Sequence, residues 1–253
     1  MKLCILDADS LLFYCVHNKK DEPEKSFDEI KSKLDTWLLD IFNKTYSTHY
    51  YMYLTSSKSF RANEYPEYKA HRKAERPNYF KELKEYMVQN YNGISYPELE
   101  ADDLCLITYK MHTKALAEGD EVFISSPDKD LLKLEGEHYN YAKDIWSTNT
   151  EDDAKYHFWE SMITGDSADG VQGIHGKGKK FVEKLFENTT SKDLPGVVFS
   201  AYTTILGTDE GIHEFYKSYK MLKILDTHEE FQKSIPEPFE IKREQSTLIT
   251  ETQ

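Results

Sequence analysis

The chain is short of positive charge. Its 253 residues hold 45 Asp and Glu against 32 Lys and Arg, a formal net charge of −13 at pH 7. Taken as a sum, that balance argues against a nucleic-acid partner. Cysteine is scarce: Cys4, Cys15 and Cys105 are odd in number and unpatterned in spacing. This excludes a disulfide scaffold and reads as free thiols in a reducing, cytoplasmic compartment. Long apolar runs are lacking as well. Nowhere do eighteen apolar residues follow one another, so no membrane-spanning helix and no membrane partner are expected. The opening MKLCILDADS is cut at Asp7, too soon for a secretion signal, and reads as a first strand. Histidine offers no metal-binding spacing. No internal repeat or low-complexity tract occurs. What the chain does have is 39% hydrophobic residues, enough to bury a core in one large or two small domains.

A net charge hides where each sign sits, and binding follows local fields. The bases gather in two places. Residues 58–84, KSFRANEYPEYKAHRKAERPNYFKELK, carry Lys58, Arg61, Lys69, Arg72, Lys73, Arg76, Lys81 and Lys84, with Tyr65, Tyr68 and Tyr79 between them. Residues 163–180, ITGDSADGVQGIHGKGKK, run from two aspartates through four glycines to Lys177, Lys179 and Lys180. The acids gather in short clusters elsewhere. The pattern is that of a positive approach to a negative centre.

Periodicity predicts alternating strands and helices. Strands are expected at 3–8, 49–55, 121–125 and, more weakly, 138–142. Helices are expected at 26–42, near 77–90, and at 99–117, 154–163, 179–188 and 215–225. Ser26 with Glu29 forms a capping box. The alternation up to residue 150 predicts an α/β fold with a mostly parallel central sheet. Residues 151–253 are expected to form a helical region, with a polar, loosely held tail beyond 234.

In parallel α/β sheets, sites lie at the carboxyl ends of strands. Asp7 ends the first strand and Asp9 follows. Asp128 and Asp130 follow the strand at 121–125. Glu100, Asp102 and Asp103 open the helix in LEADDL, and Asp166 and Asp169 lie further on. Singly, each suits a local role: first-turn acids favour the helix dipole, and Asp128 after Pro127 suits an N-cap. Together in one cleft they would repel one another until they took up protons or cations. An all-carboxylate set suits Mg²⁺ or Mn²⁺, not zinc. Two such ions, about 3.5–4 Å apart, clamp both oxygens of a phosphodiester under attack.

ILDAD (5–9), YPEYKAHRKA (65–74), ELEADDL (98–104), SPDKDLL (126–132) and TGDSADGVQGIHGKGKK (164–180) resemble, in order and spacing, the motifs of the 5′-nuclease superfamily, which includes flap endonucleases and bacterial and phage 5′→3′ exonucleases. The resemblance spans residues 2–190, with a weaker echo near 215–226. It implies a PIN-like nuclease core, 1–150, with an arch at about 60–92, and a DNA-binding region, 151–253, with a helix–turn–helix or helical-hairpin element at 160–190.

The residue roles below are likewise implied by that resemblance. Asp7, Glu100, Asp102 and Asp103 hold the first of two Mg²⁺ or Mn²⁺ ions; Asp128, Asp130, Asp166 and Asp169 serve the second. Lys69 and Arg72 contact the scissile phosphate. Tyr68 or Tyr79 stacks on a base. Gly173, Gly176, Gly178, Lys177, Lys179 and Lys180 meet the DNA backbone, with K⁺ on the carbonyls of Val171 and Ile174. The partner is duplex or branched DNA with a 5′ end, or an RNA–DNA hybrid, in phage replication, where replication proteins would act beside it. One position departs: Ser56 stands where the family has an aspartate after the second strand. Two other readings stay open. One is a haloacid-dehalogenase-type phosphatase with Asp7 as nucleophile. The other is a catalytically impaired DNA-binding protein on the nuclease scaffold.

Overall fold

A computed structural model of the chain describes residues 1–17, 24–72 and 76–242. Strand β1 (Lys2–Asp7) lies near the middle of a six-stranded sheet. Its residues alternate between two cores, as a period of two requires. Cys4 and Leu6 face one side; Leu3 and Ile5 face the other. β1 runs parallel to β2 (His49–Tyr53) and β3 (Glu121–Ser125), and β3 runs parallel to β4 (Gly136–Asn140). β5 (Ile145–Asn149) and β6 (Phe239–Glu240) add antiparallel edges, in the order β5-β4-β3-β1-β2-β6. The expected parallel sheet is therefore its four inner strands, and the whole is mixed.

One face is covered by α1 (Asp9–Val16), α2 (Phe27–Thr45) and α4 (Phe80–Tyr91). The Ser26–Glu29 capping box starts α2, and Ile30, Leu34, Leu38 and Ile41 form its buried stripe. α4 buries Phe80, Leu83 and Met87 in the same core. Of the segment expected to form the arch, residues 80–91 pack on the body of the protein through this face, and residues 73–75 lie outside the described residues. The short α3 (Phe60–Glu64) precedes them.

The other face is covered by α5 (Ala101–Thr113), which buries Leu104, Cys105 and Ile107. The helices α6 (Glu151–Thr164), α7 (Lys179–Phe186), α8 (Leu194–Leu206) and α9 (Thr208–Leu222) share a separate core around Trp159, Met162, Tyr202 and Phe215. Periodicity missed α1 and α8.

The chain then returns to the sheet. Phe231 of α10 (Glu229–Ser234), 1% exposed, packs with Leu3, Ile5 and Tyr53, and β6 pairs with β2. The tail expected to be loose from residue 234 is thus held as far as 241; residues 243–253 lie outside the described residues. Among the described residues no helix is long and apolar enough to cross a membrane. The three cysteines are free and buried.

Phe231→Ala should lower stability by about 3–5 kcal/mol through the lost transfer energy and the cavity left behind. The urea midpoint measures this, and an unchanged midpoint would mean that the returning segment is not part of the core.

Candidate active site

The parallel strands aim their carboxyl ends at one edge of the sheet, and the acids collect there. Asp7 ends β1 and is 5% exposed. Its carboxylate accepts from the Asp9 amide (3.2 Å) and from Ser126 Oγ (2.8 Å), and the same Oγ accepts from the Asp128 amide (3.0 Å). Ser126, just past β3, thus ties two of the acidic motifs together. Burial, then the Asp9 charge, push the Asp7 carboxyl up to about 7.

Glu100, Asp102 and Asp103 open α5, with carboxylate oxygens within 4.8 Å of one another. At that separation two unscreened charges repel by about 3 kcal/mol at an effective dielectric of 20. The three are answered differently. Burial works against ionisation of Glu100, but Lys69 and Arg61 outweigh it and hold its carboxyl below the ordinary range. Lys69 Nζ is 2.5 Å from Glu100 Oε1, and Arg61 donates to Oε2 at 2.9 Å. Asp102 receives only the Asp103 amide, at 2.8 Å, among the hydrogen bonds of the described residues. Burial, then Asp103, drive its carboxyl well above the carboxylate range.

Asp166 and Asp169 sit in the turn after α6. Asp166 and Val171 form a two-way backbone bridge (2.8 and 2.9 Å) that closes this turn. The closure leaves no room for a side chain at Gly173, whose φ is +62° and whose Cβ would lie 2.4 Å from the Gly165 nitrogen. The turn docks onto residues 65–72. The Lys69 amide donates to the Asp169 carbonyl (2.8 Å), and Arg72 donates to Asp169 Oδ1 (2.9 Å) and to the Ala168 carbonyl (3.0 Å). Lys129 stands 3.5 Å from Asp166 and helps hold its carboxyl below the ordinary range despite burial. Burial raises Asp169 and Asp128. Asp130 pairs with Lys133 at 2.8 Å. Asp102, Asp130 and Asp169 line one small cleft with Arg61, Tyr68 and Lys133.

The structure therefore brings the acids of all four motifs to one region, with Lys69 and Arg72 beside them. It departs from the sequence reading at Tyr68. That ring is 4% exposed and packs in the helical core, with its hydroxyl 2.9 Å from Glu100 and 3.0 Å from Asp169. It is not an open platform for a base. Gly176 and Gly178 are open to solvent, as are Lys179 and Lys180 at the start of α7, while Lys177 lies over the Phe181 ring. The carbonyls of Val171 and Ile174 each accept a backbone amide, from Asp166 and Lys177.

Sequence reasoning counted Arg61 among the surface bases, but it is 1% exposed. Its neighbours Phe60 and Ser59 were the available signal, since an apolar residue and a cap beside an arginine suggest an inward turn. It also missed Ser126 and Thr55, whose amide donates to Asp9 Oδ1 (3.0 Å). Ser56 supplies no charge, and its hydroxyl donates to the Lys58 carbonyl (2.8 Å). Lys84 of α4 donates to the Thr55 carbonyl at the same strand end. Asp166 follows a helix, not a strand, which removes the last acidic motif that the phosphatase reading needs.

The profile of the family described as 5′-3′ exonuclease, N-terminal resolvase-like domain matches residues 2–162. The chain belongs to this family. Solved structures agree with that 5′-3′ exonuclease fold. A bacteriophage T5 flap endonuclease, in a pseudo-enzyme-product complex with DNA and metal ions, superposes with a TM-score of 0.60 at 18% identity, covering 88% of this chain and 99% of its own. The T5 5′-exonuclease with divalent zinc ions bound gives 0.60 at 17%, covering 88% and 100%. The catalytic core of Rad2 in complex with DNA substrate gives 0.53 at 14%, covering 89% and 74%.

A raised carboxyl costs stability where it is forced to ionise. For Asp7 this cost is absent below pH 4, grows as pH climbs towards 7, and is complete above it. Asp7→Asn in EDTA should therefore stabilise the protein at pH 8 by on the order of 2 kcal/mol and not at pH 4. Denaturant midpoints at the two pH values check this; an equal effect at both would contradict the raised carboxyl.

Proposed function

We propose that the protein is a divalent-metal-dependent 5′-nuclease that hydrolyses phosphodiesters near the 5′ ends of DNA. The observation that carries this reading is the gathering of Asp7, Glu100, Asp102, Asp128, Asp130, Asp166 and Asp169 around the ends of β1 and β3, flanked by Lys69 and Arg72. Family membership supports it. The donor set fits Mg²⁺ or Mn²⁺: it is all oxygen, and three of its members, Asp7, Asp102 and Asp128, have no hydrogen-bonded cation among the described residues. Asp7, Glu100 and Asp102 would hold one ion; Asp128, Asp130, Asp166 and Asp169 would hold a second. When bound, these ions would polarise the phosphoryl oxygens and lower the pKa of water.

The chain's own groups do the rest. Lys69 lies between Glu100 and Asp169 (2.5 and 3.7 Å), so its ammonium is already at the site, placed to meet a scissile phosphate as charge develops there. Arg72 is fixed by Asp169 and Ala168, while its side chain remains 54% exposed, leaving donors for a second phosphate oxygen. The uncapped start of α7, with Lys179 and Lys180, offers amides and positive charge to the duplex backbone. In this reading the segment at 65–72 and the start of α7 are the two basic approaches that the charge pattern implies. Such an activity suits removal of RNA primers or degradation of DNA from its ends.

A duplex labelled at its 5′ end, with and without a flap, should be cut in Mg²⁺ and left intact in EDTA. Asp128→Ala should slow cleavage by at least about 100-fold while DNA affinity changes less. DNA that binds but stays whole across Mg²⁺ and Mn²⁺ titrations would favour the binding-only scaffold instead.

A further inference from the structure

Asp103 differs from its neighbours in how completely it is used. It is 0% exposed, and a carboxylate has about four lone-pair directions. All four are filled. Oδ1 accepts from Arg61 (2.7 Å) and from the Leu225 amide (2.8 Å); Oδ2 accepts from Arg61 (2.8 Å) and from the Glu100 amide (3.2 Å). Arg61 presents the matching fork. Beyond Asp103 it reaches Glu100 Oε2 (2.9 Å) and the Lys223 carbonyl (2.5 Å), and its guanidinium lies over the Phe60 ring. Asp102, one residue earlier, accepts a single amide.

We propose that Asp103 is withheld from metal coordination and forms with Arg61 a buried clamp that positions Glu100 and fastens residues 223–225 to the site. A metal ion would have to displace one of four donors at a site closed to water, whereas Asp102 offers free oxygens beside it. The clamp also joins three parts of the chain. Arg61 comes from α3, Asp103 from α5, and residues 223–225 lead from α9 of the helical region back to the sheet. Lys110 with Asp226 (3.0 Å) extends the same seam at the surface. The exclusion from metal binding rests on the nuclease reading; the clamp itself does not.

The test compares thermal unfolding of full-length variants in EDTA. Asp103→Asn leaves a guanidinium buried without its anion, so Tm should fall by about 10 °C. Asp102→Asn removes a half-buried carboxylate that has no bonded cation among the described residues, so Tm should hold or rise. If Asp103→Asn raises Tm as Asp102→Asn does, the proposal is overturned. Should Asp103→Asn fail to fold, R61M/D103L removes both charges at once and leaves neither unpaired. It should fold, lose amide-exchange protection at Leu225, and keep a rise in Tm with Mn²⁺ that is smaller than the wild type's. Retained protection at Leu225, or a Mn²⁺ response abolished altogether, would overturn the proposal. A wild-type protein that does not respond to Mn²⁺ would count against the metal-dependent reading alone, and the EDTA comparison would still decide the clamp.

Discussion

Repulsion between carboxylates forced together at the ends of parallel strands is the constraint around which this protein is arranged. Oxygens within 4.8 Å repel strongly enough that each charge must be matched, protonated or left for a bound cation. The fold matches some of them itself. Arg61 takes Asp103, Lys69 takes Glu100, Lys133 takes Asp130 and Lys129 stands near Asp166. Asp7, Asp102 and Asp128 receive amides or a hydroxyl instead, and burial drives all three carboxyls upward. These unmatched acids mark where a cation from solution is most favoured.

The rest of the architecture keeps this arrangement in place. β1 is buried on both faces, so the position of Asp7 is set by two cores at once. The turn at 165–173 is locked by the Asp166–Val171 bridge and docks onto residues 65–72, so the basic segment and the second acidic group move as one piece. The chain after α9 crosses back over α5 to the sheet edge. The helical region is thereby tied to the α/β core at both its start and its end.

Much of this was legible in the sequence. The apolar runs at 3–8, 49–55 and 121–125 gave the inner strands because residues buried on both faces need no alternation. Asp7, Asp9, Asp128 and Asp130 were found because they lay at or just past such a run; the acids at 100–103 and 166–169 were found as clusters in the sequence. Three features escaped for physical reasons. α8 is apolar nearly all round its start and interrupted by Pro195 and Gly196, so it shows no clear stripe. Tyr68 sits in a basic, aromatic-rich segment that looks like a nucleic-acid surface, yet its ring is taken up by the helical core. Arg61 looked like another surface base because Ser59 and Phe60 hint only at an inward turn and do not identify a partner 42 residues away. Burial of charge is decided by long-range pairing, and that is where composition and spacing stop being informative.

The central claim is that the buried acids are poised for divalent ions, and calorimetric titration of Mn²⁺ into the wild-type protein at pH 7 tests it most directly. Run in two buffers of different ionisation enthalpy, it reports proton release together with binding. The account predicts binding accompanied by release of on the order of one proton per protein, because a carboxyl held near neutrality must ionise to become a ligand. Absence of binding, or binding with no proton released, would contradict it.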